Sequence, residues 1–534
     1  MGNCLTTSNN NNCQLPTSPM SPNRRILLNI VATYGRSLYA LVLGLFTARW
    51  ALMALGEVDY GLLGVVGGLV AFVSYLNGII AGAMGRFFAI AIGEEKTDAQ
   101  KGLESGQMWF TTAVVVQTIV PTLLLIICYP IGEWAVRRFL EIPPDRIEAC
   151  LWVWRFACAS AYVAMVVMPW NAMYGAHQYI AELTVYSFAT TTLNACFLYY
   201  MITHPAVWLA KLAFWQCLLS ILPNIIIAIR ARVLFPECKI RAKYMQCWSN
   251  IKKMASYALW NAWGSLGALL RAQGLAILVN KYFGARANAS ITVGTMLSAQ
   301  CNTLSSSMQG AFAPAIFNAW GAREYDKARN LAYRTCKFGT LLVLVFSLPL
   351  ALEVDEVLRL WLKNPPQYAA GICLFVMAMT VIDKLAVGHM LCVNANGKVA
   401  KYQAFLGTSL VMTLPLAWVL IEAGVGIYSI GWAMIATMAV CASGRVLFAR
   451  RLVGMSARRW LKSIFTPVLC AAVAALGVGL LPLIFMQQSI GRVCVTTGVV
   501  ELVLMPLAWF VILDSSERGF LRSKMDLALR RFRG

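Results

Sequence analysis

Four basic side chains, Arg36, Arg155, Arg271 and Lys384, stand inside long apolar stretches of this sequence. At about 1.5 Å of rise per helical residue, Arg36 is about 15 Å into its stretch and cannot easily reach either end. Arg155 is similarly deep, Arg271 falls in the second half of its run, and Lys384 sits further towards the inner end of its own. Acids are scarce in the apolar stretches of the chain, with Glu182, Asp383 and Glu501 standing well inside them. Some of the cations therefore lack an acidic partner, and an intramembrane cation is by default a functional-site candidate. Arginine holds phosphate oxygens bidentately, so the chemistry this pattern favours is recognition of a phosphate-bearing anion. Asp383 beside Lys384, with His389 on the same helix, is either a proton or cation relay or a local salt bridge, and Glu182 is a further relay candidate.

Other chemistries find no support. The three histidines, His177, His204 and His389, are too dispersed for a metal site, and the sixteen cysteines contain no CxxC pair. No GxxxxGK[ST] loop is present, so ATP is not the direct energy source and no cofactor is expected. Polar residues recur at helical spacing in two places, Asn29, Thr33, Arg36, Ser37, Gly44 and Thr47, then Asn261, Ser265 and Arg271. Such stripes face protein or water rather than lipid, and helix packing explains the Ser, Thr and Asn positions as well as a ligand does. Arg49, Arg86, Lys211, Arg334, Lys337 and Arg445 lie nearer the ends of their runs, where snorkelling is the simpler account. The GxxxG pairs Gly64/Gly68 and Gly78/Gly82 read as close helix contacts.

The elements that position these residues are membrane helices. Of 534 residues, 59% are hydrophobic and 13% charged, against about 25% charged in an ordinary soluble protein. Fourteen apolar runs follow one another from residue 26 to residue 513, each long enough to span. The fold class is all-α and polytopic. With 45 Lys and Arg against 23 Asp and Glu, the net charge of +22 suggests nucleic acid in a soluble chain; here the basic residues concentrate in alternate loops and in both tails. The positive-inside rule accounts for that pattern, places both termini in the cytoplasm and needs no nucleic acid. Residues 1–25, with their asparagine run, read as a disordered tail. Met1, Gly2 and Thr6 fit a myristoylation pattern with Cys4 as a palmitoylation candidate, but a protein of fourteen spans needs no lipid anchor. The longest inner connection, 230–253, carries Ile240, Tyr244, Trp248 and Ile251 on one helical face and Lys239, Lys243, Lys252 and Lys253 elsewhere. It reads as an interfacial helix on anionic membrane lipid. The outer loops are short and offer no domain for chemistry.

The chain also repeats itself. At an offset of 228, Ser37, Leu38, Ala40 and Leu41 meet Ser265, Leu266, Ala268 and Leu269; Gly56 meets Gly284, Gly93 meets Gly321 and Asp98 meets Asp326. At an offset of 222, Pro143, Pro144 and Gly175 meet Pro365, Pro366 and Gly397. Six helices per copy is an even number, so both copies enter the membrane in the same sense, a transporter design. The expected organisation is a 26–229 lobe, the 230–253 linker, a second lobe over 254–450, two extra helices over 451–513, and a basic cytoplasmic tail at 514–534.

Ser37 to Leu41, the turn of Leu55, Gly56, Asp59, Tyr60 and Gly61, the Arg86–Phe87 pair and Gly93 resemble the polysaccharide flippases of the MOP (multidrug/oligosaccharidyl-lipid/polysaccharide) transporter superfamily. The resemblance covers nearly the whole chain through soft motifs of small and aromatic residues. It implies a V-shaped pair of lobes that moves a polyprenyl-pyrophosphate-linked oligosaccharide from the inner to the outer leaflet of the cytoplasmic membrane by alternating access. It also implies a cationic central cavity, for which Arg36, Arg155, Arg271 and the motif residue Arg86 are the candidates. A Na+ or H+ gradient or the membrane potential is the expected driving force, and a polysaccharide polymerase or ligase a candidate partner.

The competing reading within the superfamily is cation-coupled small-molecule efflux, which calls for more acids in the spans than this chain supplies. A membrane polymerase, ligase or glycosyltransferase needs a sizeable aqueous loop, so the chain is not expected to be an enzyme. A major-facilitator transporter shares the parallel repeat but carries a basic signature between its second and third helices that is missing here.

Overall fold

In the computed structural model, residues 22–139, 142–204, 209–245, 247–362, 365–515 and 517–519 are described. The N-terminal stretch through residue 21, with Gly2 and Cys4, and the basic end 520–534 lie outside the described residues. What is described is helical, and each of the fourteen apolar runs coincides with helix. Among the described residues nine helices are long and apolar enough to cross a membrane, or ten if Ala369–Leu385 and Val387–Asn396, bent by 45°, form one span.

Two helices of 74 residues, Pro22–Glu95 and Trp248–Gly321, each cover two of the apolar runs. They break at Gly56 (φ 75°, ψ 171°) and Gly284 (φ 79°, ψ 176°), a conformation that L side chains avoid. These are the glycines paired by the 228-residue offset, and the two breaks are nearly superimposable in dihedral terms. Dividing the long helices there gives α1 (22–55), α2 (57–95), α7 (248–283) and α8 (285–321). The others are α3 (Ala99–Trp134), α4 (Ile147–Val166 with Met168–Ala176), α5 (Ile180–Thr203) and α6 (Leu209–Leu234). Beyond α8 come α9 (Tyr325–Leu352), α10 (Ala369–Leu385 with Val387–Asn396), α11 (Ala400–Val411 with Thr413–Glu422) and α12 (Ser429–Val453). The chain closes with α13 (Ala457–Phe485) and α14 (Ile490–Ile512).

α2 and α8 cross at the end of the bundle that bears the termini. A methyl group at Gly93 would collide with the Asn318 carbonyl, and one at Gly321 with the Ile90 carbonyl. Ile90 and Asn318 are again 228 residues apart, so the crossing has local twofold symmetry. A methyl group at Gly78 or Gly82 would meet no described atom within 4 Å, so among the described residues the close approach expected of that GxxxG pair is made by Gly93 instead.

One apolar cluster contains Cys336 and Leu344 of α9, Val468 and Ala475 of α13, and Val500 and Leu504 of α14. The last two helices thus share the core of the C-terminal half. Ion pairs join α14 and the turn after it to the C-terminal end and the middle of α9. Arg492 of α14 grips Glu353 through Nη2 at 2.7 Å and Nε at 2.9 Å, with Thr496 donating at 2.8 Å. Midway along α9, Lys337 meets Asp514 at 2.7 Å and Glu517 at 3.2 Å.

The 230–253 connection is not one amphipathic helix. It is a 3-10 turn at Pro236–Cys238 and a four-residue helix at Ala242–Met245. Side chains of α3 capture its backbone: Gln107 Nε2 donates to Pro236 O (3.2 Å), and Thr111 Oγ1 accepts from Arg241 N (3.1 Å). Pro236 has no amide to continue a helix. Ile240, Met245 and Trp248 are nonetheless exposed.

Candidate functional site

Between α1, α8, α9 and α14 lies a cavity of about 860 Å3. Its polar lining comes from Tyr34 and Ser37 of α1, Gln300 and Thr303 of α8, and Thr497 of α14; Leu38 and Phe346 are among its apolar walls. No carboxylate is among the lining residues described. The polar stripe of α1 read from the sequence therefore does face a cavity at Ser37, while Thr33 and Ser37 also donate back to the carbonyls four residues earlier. Tyr34 Oη donates to Leu304 O across the two halves at 2.7 Å. Arg36 is exposed on the same turn as Ser37 and one turn from Ala40, another lining residue, and makes no ion pair among the described residues.

The other sequence candidates do not gather around Arg36. Arg155 sits against Glu133 of α3 at 3.5 Å, lies over the Trp152 ring and shares Glu133 with Arg137. Arg86 is buried and bridges the halves, its Nε donating to Asn394 O at 2.5 Å and its Nη2 to Ala395 O at 3.0 Å. Its guanidinium lies against the rings of Phe87 and Tyr257, 4.8 Å from each centroid. It fills the space above Gly397, whose φ of 87° turns the chain from α10 to α11. A reciprocal bond runs from Asn318 Nδ2 of α8 to Ala176 O, at the matching end of α4 (3.3 Å). Each half thus reaches into the C-terminal end of the other half's broken fourth helix.

Arg271 enters the core of the C-terminal half. Asp383 and Lys384 lie on the facing side of that core, where Arg445 Nη1 donates to Asp383 Oδ1 at 2.7 Å and Lys384 Nζ stands 3.5 Å from Oδ2. His389, 1% exposed, has Nδ1 3.6 Å from Cys336 Sγ and packs edge-on to Tyr333 and Trp460. Glu182, in α5, is ion-paired with Arg230 of α6 and accepts from Tyr174 Oη at 3.4 Å. Asp383 and Lys384 therefore form a joint cluster with Arg445, and Glu182 stands apart from it.

Arg86, Lys337 and Arg445 do not snorkel: all three are buried, Lys337 and Arg445 paired with acids and Arg86 with backbone carbonyls. Arg445 sits only four residues inside its apolar run, but α12 continues through Arg450 and Arg451 to Val453. Measured from the helix end it is two turns deep, a signal the hydropathy limit concealed.

No protein-family model matches the sequence, and no curated protein does. Solved structures do match. One is an outward-facing multidrug resistance MATE family transporter of the MOP superfamily, at 15% identity and a TM-score of 0.64, covering 81% of this chain and 96% of that one. A MATE structure in the straight conformation matches at 13% identity and a TM-score of 0.64, with the same coverage. A third is a MOP superfamily transporter from Pyrococcus furiosus, described as having a binding pocket of reverse polarity that suggests a different function. It matches at 16% identity and a TM-score of 0.63, again over 81% of this chain and 96% of that one. At such identities the likeness is one of fold, and the chain is a multi-pass helical membrane protein with the architecture of the MATE-type transporters of the MOP superfamily.

Proposed function

We propose that the protein is an alternating-access transporter that carries a lipid-linked anionic saccharide, of the polyprenyl-pyrophosphate class, across the cytoplasmic membrane for cell-surface polysaccharide assembly. The observation that carries this reading is Arg36, exposed and without an ion pair among the described residues, beside a cavity whose described lining holds no carboxylate. A guanidinium in that setting favours a phosphate and disfavours a cationic drug. The reverse polarity named for the Pyrococcus furiosus transporter offers a parallel within the same fold. Of the remaining cation candidates, Arg86 and Arg155 are engaged elsewhere and Arg271 reaches into the core of the C-terminal half with its Nη1 buried, so Arg36 is the first ligand to test. The basic loops and tails put both termini in the cytoplasm, and a polymerase or ligase is the natural acceptor of the product.

Efflux of small molecules is the second reading, favoured by the multidrug transporter among the fold neighbours. Proteoliposomes loaded with a fluorescent polyprenyl-pyrophosphate oligosaccharide separate the two. Wild type should flip it under an imposed ion gradient or membrane potential. Arg36→Ala, losing a charge-assisted contact of about 1.5–3 kcal/mol, should weaken substrate affinity about 10- to 100-fold. Folded wild type that flips nothing but clears a cationic dye establishes the efflux reading.

A further inference from the structure

The core of the C-terminal half holds more positive charge than its acids can balance. Arg271 and Arg445 both lie within electrostatic reach of Asp383 and of each other. Neither guanidinium deprotonates in a protein. Even with Lys384 neutral, two fixed cations therefore face one carboxylate. The hydrogen-bond inventory is unbalanced in the same direction. Arg271 Nη1 is buried with no partner among the described residues; Arg445 Nε and the Tyr402 hydroxyl are buried and make no hydrogen bond of normal geometry there, although the two side chains interact with each other. The Tyr402 ring is 0% exposed and its hydroxyl stands beside Arg445. Buried donors left unpaired cost about 1–3 kcal/mol each, and charged ones more.

The packing explains how Arg271 is drawn into this place and why the space is small. Gly264, Gly267 and Gly274 of α7 press directly onto Gln403, Gly407 and Leu414 of α11, and Arg271 occupies the same helical stripe. None of the three contacts leaves room for a Cβ without displacing a neighbour. No phosphate or sugar fits between helices in such contact.

We propose that this cluster binds a monoatomic anion of chloride size between α7, α11 and α12, with Arg271, Arg445 and Tyr402 as donors. One halide accepts from all three and brings the formal charge of the two guanidiniums and Asp383 to zero. The site belongs to one half alone. By the offsets of 228 and 222, the mates of Arg271, Asp383, Tyr402 and Arg445 in the N-terminal half are Leu43, Ala161, Ile180 and Pro223, which carry no side-chain donor. It lies outside the cavity assigned above to substrate, so its fate is separate from that reading.

Thermal unfolding of the purified full-length protein in detergent, in sodium chloride against sodium gluconate at equal ionic strength, tests it. Chloride should raise Tm by about 2 °C at about 100 times its Kd, climbing with the logarithm of its concentration. Arg271→Gln should abolish the rise, and Tyr402→Phe, which removes one hydroxyl from a site otherwise intact, should move its onset to higher chloride concentrations. A bromide-soaked crystal should show an anomalous peak against Arg271. Identical Tm values in the two salts, or a chloride response retained in full by both variants, overturn the proposal in favour of a bound water. If Arg271→Gln does not fold, Tyr402→Phe and the bromide peak decide alone. Neither readout uses the transported substrate.

Discussion

Lys337 is 2% exposed and lies in contact with Glu517, itself 3% exposed, with Arg334 3.5 Å from the same carboxylate. Removing one member of a buried pair leaves the other without its counter-charge, which costs about 3–5 kcal/mol. Lys337→Met should therefore lower Tm sharply, and the double variant Lys337→Met/Glu517→Gln should recover most of the loss. Asp514 is half-exposed, so Asp514→Asn should change Tm little; a large drop there would contradict this partition. The depth of such cations in the apolar runs is legible from spacing alone, which is how Arg36 and Arg271 stand out. Their partners are not legible, because Glu517 lies 180 residues from Lys337 and Arg445 lies 62 from Asp383. Nothing local in the sequence distinguishes a cation that meets an acid on a distant helix from one that waits for a ligand.

At the scale of elements, the sequence carried the helices and their breaks further than it carried their contacts. The matched glycines Gly56 and Gly284 mark the two breaks because only glycine adopts that backbone without strain, and the matched Gly93 and Gly321 mark the crossing. Periodicity misread 230–253, since the hydrogen bonds that dismantle that helix come from Gln107 and Thr111 on α3. It also credited Gly78 and Gly82 with a contact that they do not make among the described residues. The symmetry of the crossing yields a prediction. Gly93→Val and Gly321→Val should each wedge α2 and α8 apart, and by similar amounts, because each meets the carbonyl of the other's counterpart turn. Hydrogen exchange at 88–95 and 316–323 should rise in both variants while exchange in α9 stays unchanged. An increase confined to one variant would show that the crossing is not symmetric in its energetics.

For the molecule as a whole, the contact between the halves adjoins a titratable cluster that the sequence does not advertise. His177 Nε2 meets Glu237 Oε1 at 3.0 Å, and the His177 ring stacks on Phe235. Glu95 is close enough to both to feel their charge. Cys238 and Arg232 flank Glu237, Gln107 and Arg241 approach from α3 and the linker, and Asn318 of α8 bonds the residue before His177. Glu95 and Glu237 lie beyond the ends of the apolar runs. Burial and the charge of Glu237 hold the Glu95 carboxyl above the usual carboxylate range, against the pull of His177. Burial also opposes ionisation of Glu237, but its bond to His177 prevails and holds it below that range. The folded protein therefore takes up a proton at Glu95 before the unfolded chain does. The stability tied to Glu95 is fully present below 4.5, its ordinary value, and is lost as pH rises through the raised one. The stability tied to Glu237 has the opposite sign, present above 4.5 and lost as pH falls through its lowered value. Tm should accordingly climb on acidification from neutral pH towards 4.5 and fall below it. Glu95→Gln, neutral at every pH, should raise Tm at pH 7.5 and flatten the limb between 7.5 and 4.5 while leaving the acid limb in place. Because Gly93 is two residues from Glu95 and Ala176 adjoins His177, the same substitution should protect amides 88–95 and 316–323 at neutral pH. A Glu95→Gln protein with the wild-type pH profile would move the titration to other groups.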